Sequence, residues 1–154
     1  MDNSVPEKLQ FSKVDQIGII VHDIDKAVEH YESLGFGPFE PLQGITVIER
    51  EMYGKVVDDI VMNVRMAQIG SLQIELIQPV SGVSLWKDFL ETNGEGINHV
   101  AIWVDDIEKE TAILVDKGFE VLYRSRFDNG GGAAYFDTRE VGGTLLELVQ
   151  WKPK

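Results

Sequence analysis

One short pattern occurs twice in this chain, and it limits the possible folds more than any other feature. Asp15-Gln16-Ile17-Gly18-Ile19-Ile20-Val21, followed by His22-Asp23-Ile24, is echoed by Gly96-Ile97-Asn98-His99-Val100-Ala101-Ile102-Trp103-Val104, followed by Asp105-Asp106-Ile107. In each copy a polar residue with a ligand-type side chain, Gln16 or His99, precedes an apolar strand that runs into an acidic helix start. A second echo lies downstream. Leu72-Gln73-Ile74-Glu75-Leu76-Ile77-Gln78 aligns with Leu145-Leu146-Glu147-Leu148-Val149-Gln150 when Glu75 is laid on Glu147. The chain is a duplicated unit.

The elements between the echoes repeat in the same order. Val14 to Val21 is the first strand, and a helix opens at Asp23 or Asp25 and carries Ile24, Ala27, Val28, Tyr31 and Leu34 at helical spacing. Pro38 to Arg50 is a less regular strand, residues 49–55 a loop or turn, and Asp59 to Gln68 a third strand. Gly70-Ser71 makes a hairpin to Leu72–Gln78, and Pro79 closes the unit. The second unit has strand 97–104, helix 107–117 and strand 119–126, then a turn at Asn129-Gly130-Gly131-Gly132, strand 133–138, a Gly142-Gly143 turn and strand 144–150. The predicted organisation is therefore an arm at 1–12, a βαβββ unit at 13–80, a connecting helix at 81–95 and a second βαβββ unit at 96–152. The triple glycine lies between two strands and lacks the Walker lysine and hydroxyl, so it predicts a mobile hairpin bordering a pocket rather than a phosphate loop.

Composition excludes several function classes. A net charge of -12 argues against a nucleic-acid partner, which needs clustered Lys and Arg. The absence of cysteine removes disulfides, thiolate nucleophiles and Cys-rich zinc sites. No apolar run approaches the length of a membrane span, and the N-terminus lacks an apolar leader core. A soluble, cytoplasmic protein that avoids membranes is the expectation.

The duplication pairs Gln16 with His99 and Glu75 with Glu147. A carboxylate inside Gln73-Ile74-Glu75-Leu76-Ile77 is costly to bury without a partner. Strand alternation leaves a second option, since Glu75 and Glu147 could each face water on an amphipathic strand. Matched recurrence favours a shared site. One imidazole, one amide oxygen and two carboxylates suit an octahedral divalent cation, with Zn²⁺, Ni²⁺, Co²⁺ and Mn²⁺ all compatible. A closed structural zinc site would more often use Cys and His, so this set reads as catalytic.

These motifs resemble the vicinal oxygen chelate superfamily, which includes glyoxalase I, methylmalonyl-CoA epimerase, bleomycin-resistance proteins and extradiol dioxygenases. The resemblance covers roughly residues 13–151. It implies an α+β fold in which two tandem βαβββ units form an eight-stranded incomplete barrel, with metal ligands at Gln16, Glu75, His99 and Glu147. Within the superfamily, Gly96-Ile97-Asn98-His99, Glu75-Leu76-Ile77-Gln78-Pro79 and Gly142-Gly143-Thr144-Leu145-Leu146-Glu147-Leu148 look most like the methylmalonyl-CoA epimerase branch.

Two departures matter. Gln16 stands where that branch has His, and a Gln/Glu/His/Glu set is familiar from glyoxalase I. The branch's second acid/base glutamate falls near Asp58-Asp59, where an aspartate is shorter. The implied activity is proton abstraction beside a metal-chelated carbonyl, on a small carbonyl or thioester substrate. Glu147 would serve as ligand and base, with Asp59 as the opposing base, in a homodimer. A lactoylglutathione lyase is the alternative enzyme, and a metal-free binder of the bleomycin-resistance type the non-enzyme alternative. Gln16 disfavours the two-His iron triad of the dioxygenases. For a CoA thioester, Arg124 and Arg126 on one strand face are the best cationic pair among Arg50, Lys55, Arg65, Arg124 and Arg126.

Overall fold

The computed structural model describes residues 8–152, in which nine strands form one curled sheet, a half-barrel, with three helices. The elements are β1 (Gln16–Ile20), α1 (Ile24–Ser33), β2 (Val47–Met52), β3 (Lys55–Val57), β4 (Val61–Ile69) and β5 (Leu72–Ser81). They continue with α2 (Leu85–Asn93), β6 (Gly96–Trp103), α3 (Ile107–Asp116), β7 (Val121–Phe127), β8 (Gly132–Phe136) and β9 (Leu145–Gln150). The strand order is β3-β2-β7-β8-β9-β6-β1-β5-β4, so the two echoed strands β1 and β6 lie side by side inside the sheet.

The duplication persists in the hydrogen bonds. β1 pairs parallel with β5, and β6 pairs parallel with β9. Asp23 and Asp106 cap α1 and α3 by accepting from Lys26 N and Lys109 N, both at 3.0 Å. Gln78 and Gln150, at the same place in the second echo, accept from Ile24 N at 3.0 Å and Ile107 N at 3.1 Å. Each helix start is thereby tied to the last strand of its own half, which satisfies donors that a helix leaves unpaired.

Both helices cover the convex face. α1 buries Ile24 and Ala27 against Ile74 and Leu76, while α3 buries Leu114 against Ile102, Phe136 and Leu148. On the concave side, α2 closes one end of the cup with Leu85 and Trp86 against Ile20, Ile77, Tyr123 and Tyr135. Alternation then decides the question that the sequence left open. With Ile74, Leu76 and Leu148 under helices, Glu75 and Glu147 point into the cup rather than into bulk water.

Several expectations are corrected. Nine strands replace eight because residues 49–55, expected as a loop, form the end of β2 and the start of β3. Their two-residue turn is Tyr53-Gly54, both with positive φ, 52° and 78°. That is the backbone of a tight hairpin, but tyrosine is not a residue that announces one. The strand expected over 38–50 is split between opposite edges of the sheet. Glu40 makes an isolated bridge to Met66 beside β4, whereas β2 crosses to pair with β7 of the other half.

Pro79 does not end β5. It lies opposite Met62, where the register shifts with Val80 as the extra residue of β5, and a bulge tolerates the missing N–H. The glycine turn is not a free hairpin: Asn129 Nδ2 donates to Trp151 O at 2.6 Å and Gly131 N donates to Asn129 Oδ1 at 2.9 Å. A Cβ on Gly131 would stand 2.2 Å from Gln150 O, so close strand approach explains that glycine. Of the expected arm, residues 1–7 lie outside the described residues, but Leu9 and Phe11 rest on the α3 cluster.

Candidate active site

His99 is the centre of the cup's polar cluster, with 0% exposure. Its Nδ1 lies 3.1 Å from Asn98 Oδ1, so Nδ1–H donates there and Nε2 faces the cup. Around Nε2 stand Gln16 Oε1 at 3.1 Å, Glu75 Oε1 at 3.4 Å and Glu147 Oε1 at 3.7 Å. The orientation of Gln16 is fixed by its own amide, whose Nε2 donates to Gln73 Oε1 at 2.7 Å. Two residues thus come from the first half and two from the second, within a single chain.

Four acceptors with no donor between them require something positive. A proton on Nε2 is one solution, and the local electrostatics favour it. Burial alone would lower the His99 pKa, but the hydrogen bond with Glu75 and the charges of Glu147 and Glu75 outweigh it, leaving a net rise. Burial raises Glu147, partly offset by the His99 charge and reinforced by Glu75, to about 7. A divalent cation is the other solution. Among the described residues, as they stand, no group of three or more His, Cys, Asp or Glu side chains is placed to hold a metal ion, so the carboxylates would have to move in. Adjacent ligands of one octahedral ion stand about 3 Å apart, from metal–oxygen distances near 2.1 Å. Gln16 meets that spacing to His99, and Glu75 and Glu147 would close by a few tenths of an ångström. The donor set fits the group.

Gly18 makes room for the imidazole. It lies beside His99 in the β1–β6 register, and a Cβ there would stand 1.8 Å from His99 Cε1. A lone glycine in an apolar strand is the sequence signal of such a close approach. Tyr135 also belongs to this cluster. It is 2% exposed, packs edge-on against His99 at 5.0 Å between ring centroids and hydrogen-bonds to Glu147. Burial, followed by the Glu147 and Glu75 charges, pushes its hydroxyl well above the usual phenol range, so it remains a donor. Trp86 packs edge-on against Tyr123 and Tyr135 at 4.9 and 5.5 Å between ring centroids.

These groups open onto a cavity of about 510 Å³. Gln16, Glu75 and Glu147 line it together with Arg50, Tyr123, Ser125, Tyr135 and Trp86. Asp59 does not join them. It is exposed, and its carbonyl lies against Gly82 beyond the far end of β4, whereas Glu75 pairs with Met66. Asp59 precedes Met66 by seven residues, most of them in β4, so the two levels lie roughly 20 Å apart along the strand. Arg124 and Arg126 lie on the outer face, 3.7 Å from Glu108 and 3.2 Å from Glu49 respectively, so their charges are already matched outside the cup.

Fold and site together define a member of a known class. Residues 15–136 match the glyoxalase/bleomycin resistance protein/dioxygenase superfamily, and the chain belongs to it. Its relatives include the uncharacterized protein YqjC of Bacillus subtilis (strain 168), 29% identical over 92% of this chain and 94% of that one. Among solved structures, a Streptomyces coelicolor methylmalonyl-CoA epimerase in complex with 2-nitronate-propionyl-CoA is 28% identical, with a TM-score of 0.66 over 92% of this chain and 98% of the other. A hypothetical protein from Bacillus halodurans C-125 is 26% identical, with a TM-score of 0.65 over 92% and 96%. Among the described residues no helix is long and apolar enough to cross a membrane.

Proposed function

We propose that this chain is a divalent-metal-dependent epimerase or isomerase that removes a proton next to a chelated carbonyl, on a substrate of the methylmalonyl thioester type. The observation that carries the reading is the convergence of Gln16 Oε1, Glu75 Oε1 and Glu147 Oε1 on His99 Nε2. A Zn²⁺, Ni²⁺, Co²⁺ or Mn²⁺ ion held by these four residues would offset the negative charge that develops on the carbonyl as the adjacent carbon loses its proton. Glu147 is the base: it lines the cavity, and the Tyr135 hydrogen bond holds its carboxylate in place. α2 and the Trp86–Tyr123–Tyr135 ring cluster close the cup's end against water. The likeness to an epimerase bound to a CoA analogue supports the thioester class. The same reading carries a cytoplasmic homodimer.

One observation favours a second reading. With Asp59 away from the cup, Glu147 lacks the expected partner on the opposite face, and a single base that returns the proton to a neighbouring carbon gives a lactoylglutathione lyase-type isomerisation. The test is metal analysis of chelator-free protein, followed by solvent deuterium exchange into a 2-methylmalonyl thioester with wild type and Glu147→Gln. Near-stoichiometric metal and exchange that falls at least 100-fold in the variant are expected. Metal-loaded wild type that exchanges nothing but converts a hemithioacetal would hand the assignment to the lyase. A protein that takes up none of the four metals would sink both readings and leave a small-molecule binder.

A further inference from the structure

We propose that Arg50 anchors a compact anionic group of the substrate, most simply a carboxylate, on the wall of the cup opposite the His99 cluster. The inference rests on the cup being the substrate site and adds the charge of what enters it.

Arg50 reaches the cavity through an irregularity in β2. The register against β7 jumps between Val47 and Glu49, which makes Ile48 the extra residue and leaves it 56% exposed. Val47 and Arg50 therefore both line the cup, although three residues apart, while Glu49 and Glu51 turn outward. The outward residues face Arg126 and Arg124 in the register. Basic residues on the outer face thus have carboxylates, and the inward one does not. Among the described residues Arg50 forms no salt bridge. Its Nε is buried without an acceptor.

A cation that shares a cavity with two carboxylates yet pairs with neither is held apart for a third partner. Leaving a buried guanidinium N–H unsatisfied is costly, and an anion would satisfy it with a charge-assisted pair. Polar company is present. Ser125 lies opposite Arg50 in the register, and the Tyr123 hydroxyl hydrogen-bonds to Arg50, whose charge opposes the rise that burial imposes on it, so the guanidinium has a neutral partner but no anionic one. Distance sets the size of the ligand. From Glu147, the pairings Glu147–Tyr135, Tyr135–Tyr123 and Tyr123–Met52 lead across to β2, where Arg50 lies two residues along. Three strand spacings are roughly 14 Å of backbone. Side chains projecting inward from both ends leave room for a few bonded atoms. The fitting class is a carbonyl compound with a carboxylate a few bonds away, and a neutral ketone or aldehyde would leave Arg50 unsatisfied.

The test compares two probes that differ only in the distal group, 2-oxoglutarate and 2-oxopentanoate. Binding is followed by tryptophan fluorescence, since Trp86 lines the cavity, in protein as purified with its metal content measured alongside. Wild type should bind 2-oxoglutarate at least tenfold tighter. Arg50→Met should bring the two within twofold without changing metal content, and Arg50→Lys should restore part of the preference. A second readout needs no variant: 2-oxoglutarate, but not 2-oxopentanoate, should protect Arg50 from phenylglyoxal in peptide mass spectrometry. No preference in wild type, a preference that survives in Arg50→Met, or equal modification with both probes would overturn the anchor. Thioester exchange separates the two ideas: exchange with an unchanged KM in Arg50→Met would remove the anchor alone. An Arg50-dependent preference in a protein that exchanges nothing would remove the proposed reaction alone.

Discussion

The two halves of the molecule are alike where they hold the polar cluster and unlike where they wall it. Two residues beyond Gln16, Gly18 pairs with Glu75; two residues beyond His99, Ala101 pairs with Glu147. The frame of the polar cluster is thus repeated down to strand register, and its two copies meet at the β1–β6 seam. The walls differ. In the second half β7, β8 and β9 follow one another as neighbours, whereas the corresponding arm of the first half keeps only the Glu40–Met66 bridge and sends β2 and β3 across to β7. Arg50 arrives with that crossing. The polar cluster is thus built from both copies, and the wall that carries Arg50 from one.

The sharpest way to break the comparison is to remove one member of the frame from each half. His99→Ala and Glu75→Ala should each reduce bound divalent metal from near-stoichiometric to background in mass spectrometry, because four convergent donors tolerate no missing side. A loss confined to one half would show that the frame is not shared. Next comes the place where the frames differ by one methyl group. Gly18→Ala drives a Cβ into the His99 ring, whereas the equivalent Ala101 already carries one at 0% exposure. The variant should lose about 1–3 kcal/mol in urea unfolding, as overpacked sites do, and weaken metal binding with it.

Smaller effects are expected where the copies agree. Gln78→Ala and Gln150→Ala each remove one acceptor from a helix start, and each should cost about 1 kcal/mol. Unfolding midpoints that differ widely between the two would mean that one half carries more of the stability. The smallest effect belongs to the surface pair Asp137–Arg139, at 2.8 Å and largely open to solvent. The Arg139 hydrogen bond holds the Asp137 carboxyl below its usual value. Its contribution is present above the unfolded-state pKa and disappears as pH falls through the lower folded one. Asp137→Asn should therefore cost at most about 1 kcal/mol at neutral pH, less in high salt, and nothing below the folded pKa.

Much of this was legible in the chain. The echoes place Gln16, Glu75, His99 and Glu147 at matching positions, and periodicity locates α1 and α3 to within a residue or two, with the connecting helix shorter than the 81–95 expected for it. What escaped did so for identifiable reasons. Tyr53 takes a positive φ that its side chain does not advertise, so the β2–β3 hairpin read as loop. Asp59 was placed by analogy with a relative's glutamate, but its position depends on how far β4 extends past the cup. Tyr135 and Asn98 have ordinary identities whose meaning comes only from what they touch.

The sequence by itself determined the repeat, because two similar stretches of chain have the same local preferences and fold into the same strand–helix unit. It also determined the identity of the four convergent groups, since a residue's chemistry is independent of its neighbours. Tertiary structure alone decided which face of β5 and β9 is wet, because alternation defines two faces and only packed helices say which is covered. It alone decided that β2 crosses to the second half and brings Arg50 inside. Strand partners are chosen by contacts between residues far apart in the chain, and no local pattern encodes them.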